Sequence, residues 1–130
     1  RYPCLHVLST HIMWQEIDPR NLSSWTQACA TQGLTPIVLD VREDWEYQTS
    51  NIEPLAATLG ITLQHVPMGR IPGALNALPR EGACLACLCH HGVRSVQVSR
   101  FLSQIGYRHI ANVTGGIEAV SDVYPDVPRY

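Results

Sequence analysis

The residues best equipped for chemistry stand together in the run Cys89-His90-His91-Gly92-Val93-Arg94-Ser95. A cysteine becomes a strong nucleophile once negative charge on its sulfur is stabilised, and this run supplies the means. Gly92 has no Cβ, so the backbone can turn tightly there and the amides of residues 90 to 95 can point inward as an anion-binding nest at a helix start. Such a nest favours thiolate over thiol. Arg94 follows Cys89 by five positions and keeps its charge at any working pH, which suits it to hold an anionic substrate through bidentate hydrogen bonds. His90 and His91 are read as shaping the pocket mouth and adding positive potential at low pH.

Other candidates rank lower. Cys84, Cys87 and Cys89, followed by two histidines, offer the ligand types that zinc prefers. In an extended strand, however, Cys84 and Cys87 point to opposite faces, and no second ligand pair completes a site, so no metal is assigned. Residues 85, 87 and 89 share a face, which puts Cys87 beneath Cys89 as a core residue. A Cys87–Cys89 redox pair would span about 6.5–7 Å between Cα atoms, marginal for a disulfide. His65 reads as a structural histidine on a strand. Asp40 and Arg42 must be paired if buried, and an ion pair of Arg42 with Glu46, bracing the loop, is the expected arrangement.

The elements that position these groups follow from periodicity. Asp18-Pro19 opens a helix with apolar residues at Leu22, Trp25 and Cys29 that ends before Gly33. Thr35 to Val41 and Cys84 to Cys89 have adjacent apolar residues, as expected of strands buried on both faces. Ile61 to Val66 alternates apolar and polar residues and reads as a strand. Pro54 to Leu59 gives one or two helical turns closed by Gly60. Pro67 to Arg80 carries three prolines and two glycines and is expected to be loop with at most a short helix around Ala74 to Leu78. Val98, Phe101, Leu102 and Ile105 share one face of a helix over Arg94 to Ile105, stopped by Gly106. A strand over His109 to Val113, the turn Thr114-Gly115-Gly116 and an irregular tail complete the chain. Strands alternating with helices imply a parallel sheet covered on both sides. Cys89 then sits beyond the carboxyl end of a strand, where open α/β sheets bind ligands.

Composition narrows the function classes. The chain has 130 residues, 45% hydrophobic and 15% charged, enough for one domain with a single core. Nine basic against eleven acidic residues, a formal charge of −2, leave no polybasic footprint for nucleic acid. No apolar stretch approaches the roughly 20 residues that cross a bilayer. Residues 1–12 lack the apolar core and cleavage site of a signal peptide, so they are taken as an uninformative extension to a domain over residues 13–130, and cytoplasm is the expected compartment. The first residue is Arg1, which leaves room for an upstream piece. Five cysteines, three of them crowded together, predict at least one free thiol.

The chain resembles the rhodanese-like family from Trp14 to Tyr130. The resemblance rests on Leu39-Asp40-Val41-Arg42-Glu43 with Glu46-Tyr47, on Val66-Pro67-Met68-Gly69-Arg70-Ile71-Pro72, on Cys89 to Ser95, and on Thr114-Gly115-Gly116-Ile117-Glu118-Ala119. It implies a single α/β domain around a central, mainly parallel five-stranded sheet with helices on both faces. It also implies a sulfurtransferase. A donor such as thiosulfate or a persulfide gives its outer sulfur to Cys89, and a thiol, cyanide or a sulfur-acceptor protein removes it, with no cofactor. By the same resemblance, Arg94 and the amides of residues 90 to 95, through His90, His91, Gly92, Val93 and Ser95, form the cradle, with Asp40 and Arg42 in support. Four residues separate Cys89 from Arg94, whereas the phosphatases that resemble this family use five. Two departures affect the surroundings: Val120 stands where many relatives have tryptophan, and Ser50-Asn51-Ile52-Glu53-Pro54 replaces a Gly-His-Ile-Pro phrase. The alternative function is a non-catalytic rhodanese-like binding or sensor module, against which the retained Cys89 weighs.

Overall fold

A computed structural model describes residues 14–130; the extension assigned to residues 1–12, its junction with the domain and Cys4 lie outside the described residues. The elements in chain order are β1 (Gln15–Ile17), a 3-10 turn (Pro19–Asn21), α1 (Leu22–Thr31), β2 (Thr35–Asp40), α2 (Asp44–Thr49), α3 (Glu53–Leu59), β3 (Thr62–His65), a 3-10 segment (Met68–Ala77), β4 (Ala83–Leu88), α4 (Val93–Gln104), β5 (Ile110–Val113) and α5 (Gly116–Val123).

The five strands lie in the order β1-β5-β4-β2-β3, and every neighbouring pair is parallel. A parallel sheet needs both faces covered. Here α1, α3 and α5 cover one face through Leu22, Trp25, Ala56, Ile117 and Val120, while α4 and the 3-10 segment, with Leu78 just after it, cover the other through Val98, Leu102, Ile71 and Leu78. Each fully buried leucine, such as Leu39 or Leu102, contributes about 1.5–3 kcal/mol by leaving water. The period-2 alternation of β4 sorts its cysteines accordingly. Cys84 packs with Cys29 on the first face, and Cys87 and Cys89 pack on the second.

Four elements were not foreseen from local pattern. Pro67 to Arg80 is not mainly loop, because a 3-10 segment of ten residues runs through Pro72; prolines and glycines disfavour an α-helix but tolerate short i to i+3 turns. The segment after Arg42 is helical for six residues, closed at its start by a reciprocal pair of hydrogen bonds between Glu43 and Glu46 and too short to show a period. β1 has three residues and gains its identity only from pairing with β5. The turn at Thr114-Gly115-Gly116 runs straight into α5, and the tail with Pro125 and Pro128 is irregular, as expected.

Candidate active site

Because all strands run one way, β2 and β4 finish at the same edge of the sheet, and Cys89 follows β4 directly. Cys89 is buried. Its Sγ accepts from the Gly92 N–H at 3.0 Å and the Ser95 N–H at 3.4 Å, and lies 3.2 Å from Ser95 Oγ. Gly92 is the N-cap of α4 and Val93 its first residue, so the sulfur takes the place of a capping oxygen on the third amide of the helix.

Two glycine features allow this. Gly92 has φ +101°, and a Cβ there would stand 3.1 Å from the Gly115 nitrogen. Gly116, φ +67°, passes so close beneath the loop that a Cβ would stand 2.3 Å from the His90 carbonyl oxygen and 2.5 Å from that of Cys89. The start of α5 then ties down the loop carbonyls: Ile117 N–H donates to the Cys89 oxygen at 2.8 Å and Glu118 N–H to the His90 oxygen at 3.2 Å. With carbonyls anchored behind, the loop amides are left for the sulfur.

Arg94 does not project free into the site. Its Nη1 and Nη2 bind Glu46 Oε1 and Oε2 at 2.6 and 2.9 Å. Glu46 also accepts from Tyr130 Oη at 2.8 Å and from the Glu43 N–H at 3.0 Å. The expected Arg42–Glu46 ion pair is therefore corrected. Arg42 pairs with Asp40, Nη2 to Oδ2 at 2.7 Å and Nε to Oδ1 at 2.9 Å, and reaches only the backbone oxygen of Glu46, at 3.4 Å. Asp40 ends β2 and Arg42 follows two residues later, close enough for their side chains to meet, and burial then demands the nearest opposite charge. Arg42 further donates to the Ser50 oxygen at 2.7 Å and to Tyr130 Oη at 3.1 Å. His65 has the structural place expected of it, with Nε2 2.8 Å from the Arg42 oxygen and its ring stacked on Tyr47.

The mouth is built from His90, stacked between His91 at 3.8 Å and Tyr130 at 4.0 Å. Val93 and Trp45 are exposed, and Trp45 meets the Tyr130 ring edge-on. His91 Nε2 lies 3.2 Å from Glu118 Oε1. Burial, and then the neighbouring His91, lower His90 from the ordinary histidine value. Among the described residues, His90, His91 and Glu118 bring their ligand atoms within 4.8 Å of one another and could hold a metal ion; Cys84, Cys87 and Cys89 make no such group. Burial pushes the Cys87 thiol up to about 12, so Cys87 stays protonated beneath the site. Tyr130 and the Gly116 wedge escaped the sequence reading, the first for want of any local pattern. The Gly115-Gly116 pair was visible only as a turn.

Hydrogen bonds from Arg94 above all hold the Glu46 carboxyl down to about 2, against an ordinary 4.5. A lowered folded-state value stabilises the fold fully above the ordinary value, and that contribution is lost as pH falls from 4.5 towards 2. Chemical denaturation across that acid range should therefore show a steeper loss of stability for the wild type than for Glu46→Gln. Parallel pH slopes for the two proteins would refute this role of the pair.

Comparison with known proteins agrees with the geometry. The model of the rhodanese-like domain family matches residues 20–122. The chain is 29% identical over 108 residues to the adenylyltransferase and sulfurtransferase MOCS3-2 of Zea mays, covering 78% of this chain and 21% of that protein. It is 31% identical over 61 residues to the thiosulfate sulfurtransferase GlpE of Tolumonas auensis, covering 47% of this chain and 57% of the relative. Among solved structures, a rhodanese-related protein from Thermoplasma volcanium superposes with a TM-score of 0.64 at 27% identity, over 85% of this chain and 93% of that one. Several of the curated relatives are sulfurtransferase or sulfur carrier proteins by name, and the chain spans about a fifth of the length of the first of them. Among the described residues no helix is long and apolar enough to cross a membrane. With the all-parallel sheet, the glycine-turned loop at the end of β4 and a family match over most of its length, the chain belongs to the rhodanese-like domain family.

Proposed function

We propose that this chain is a sulfurtransferase that carries a sulfane sulfur as a persulfide on Cys89, taking it from a small donor such as thiosulfate or an organic persulfide and passing it to a thiol, a sulfur-acceptor protein or cyanide. The observation that carries the reading is the set of donors converging on Cys89 Sγ from Gly92 and Ser95. They stabilise negative charge on sulfur before the reaction and on the outer sulfur after it. With thiosulfate, the Cys89 thiolate attacks the outer sulfur, the S–S bond breaks, and sulfite leaves with the bonding pair. Cyanide then attacks the outer sulfur of the persulfide, giving thiocyanate and regenerating the thiolate. The spacing of four residues between Cys89 and Arg94 supports sulfur over phosphate as cargo. Cys29, Cys84, Cys87 and Cys89 are all free, which supports a reducing compartment such as the cytoplasm.

The test is intact-mass analysis of the reduced protein after exposure to thiosulfate or to cysteine persulfide, with an aryl phosphate assay alongside. A reducible gain of one sulfur at Cys89 is expected. No gain from either donor would favour a binding module, and phosphate release without sulfur uptake would favour a phosphatase.

A further inference from the structure

We infer that Glu46 sets the donor class of this site: by holding Arg94 in a bidentate pair it leaves the Cys89 loop, among the described residues, without a free cation, so that organic persulfides are used in preference to the thiosulfate dianion. This rests on Cys89 being the sulfur carrier.

The charge inventory carries it. The chain has no lysine; all nine of its basic residues are arginines. Among the described residues, Arg20, Arg42, Arg70, Arg94 and Arg129 each face a carboxylate. Arg80 and Arg108 flank a groove with Gly82 and His109, at the starts of β4 and β5, and Arg100 lies over Trp14 beside the start of β1. In a parallel sheet, that is the edge opposite Cys89.

Thiosulfate cannot easily take Arg94 from Glu46. The Glu46 side chain is only 5% exposed, so displacing the guanidinium would strand a carboxylate in a poorly solvated place, with only Tyr130 and the Glu43 amide to hold it. Glu118 places a further carboxylate near the mouth, beside His91. At the sulfur itself the donors are the uncharged N–H and O–H groups of Gly92 and Ser95. These suffice for a neutral or singly charged persulfide. A dianion meeting a thiolate needs an uncompensated positive charge. In the favoured step the Cys89 thiolate attacks the outer sulfur of R–S–SH. The donor S–S bond breaks, RS⁻ leaves with the bonding pair, and Cys89–S–SH keeps the donor's proton.

Glu46 is thus a positioning residue, and its signature is donor selectivity. The experiment measures the rate of sulfur gain at Cys89 by quenched intact mass, with cysteine persulfide and thiosulfate at equal concentration, in wild type and Glu46→Gln. The wild type should load from the persulfide at least about tenfold faster, and Glu46→Gln should narrow that ratio by about fivefold or more through faster thiosulfate loading. Should Glu46→Gln not fold, a salt series on the wild type decides: screening of like charges should speed thiosulfate loading about twofold or more and leave the persulfide rate nearly flat. Equal or faster thiosulfate loading in the wild type, an unchanged ratio in folded Glu46→Gln, or a thiosulfate rate that falls with salt would overturn the inference. Failure of both donors to load Cys89 would instead overturn the sulfur-transfer reading beneath it.

Discussion

Cys89→Ala is expected to cut thiocyanate formation by at least about a thousandfold, to the uncatalysed background, because among the described residues no other group is placed to take over the nucleophilic role proposed for Cys89. Cys87 lies beneath it on the same face, but it is fully buried and its thiol is pushed up to about 12 by that burial. Cys29 and Cys84 pack on the other face of the sheet. The substitution also removes the acceptor for the Gly92 and Ser95 amides, at a cost of about 1 kcal/mol, the scale of a lost helix cap. Cys89→Ser separates the two effects, since an oxygen can still accept from those amides but cannot carry sulfane sulfur. The serine variant should therefore melt nearer to wild type than the alanine variant and be equally inactive. Thiocyanate turnover above a few per cent of wild type in either variant would move the sulfur to another residue.

Asp40→Ala is expected to destabilise the fold by about 3–5 kcal/mol, because it leaves the Arg42 guanidinium buried without its counter-ion. Both side chains are completely buried, and Asp40 accepts the Arg42 backbone N–H as well, at 3.1 Å. For a domain of this size the melting temperature should drop by about 10–20 °C. The internal control is the pair Arg70–Asp44, similar in geometry at 2.9 Å but with both side chains more than half exposed. Arg70→Ala should cost less than about 0.5 kcal/mol. Asp40→Asn, which retains an acceptor for the backbone but not the charge, should fall between. Comparable melting temperatures for Asp40→Ala and Arg70→Ala would show that burial does not set the worth of the Asp40–Arg42 pair.

The fold was legible wherever local pattern carries the information. β2 and β4 show as contiguous apolar runs because a strand covered on both faces has no polar side to display. α4 shows because Val98 and Leu102 must recur at helical spacing to bury one face. The elements that were missed lack room for a period: β1 with three residues, α2 with six. α5 was obscured because it opens on two glycines with positive φ, Gly115 and Gly116, which in a sequence announce a turn.

For the site, the sequence by itself determined the position of Cys89, the glycine that turns the loop, the number of residues before Arg94, and the absence of lysine. These are properties of adjacent residues and of composition, and they do not depend on what packs against them. Only the tertiary structure decided the charges. It gave Arg94 to Glu46, 48 residues away in sequence, gave Arg42 to Asp40, brought Tyr130 onto both Glu46 and Arg42, and set Gly116 under the loop carbonyls. An ion pair belongs to whichever opposite charge burial brings nearest, and burial follows from packing, not from order along the chain.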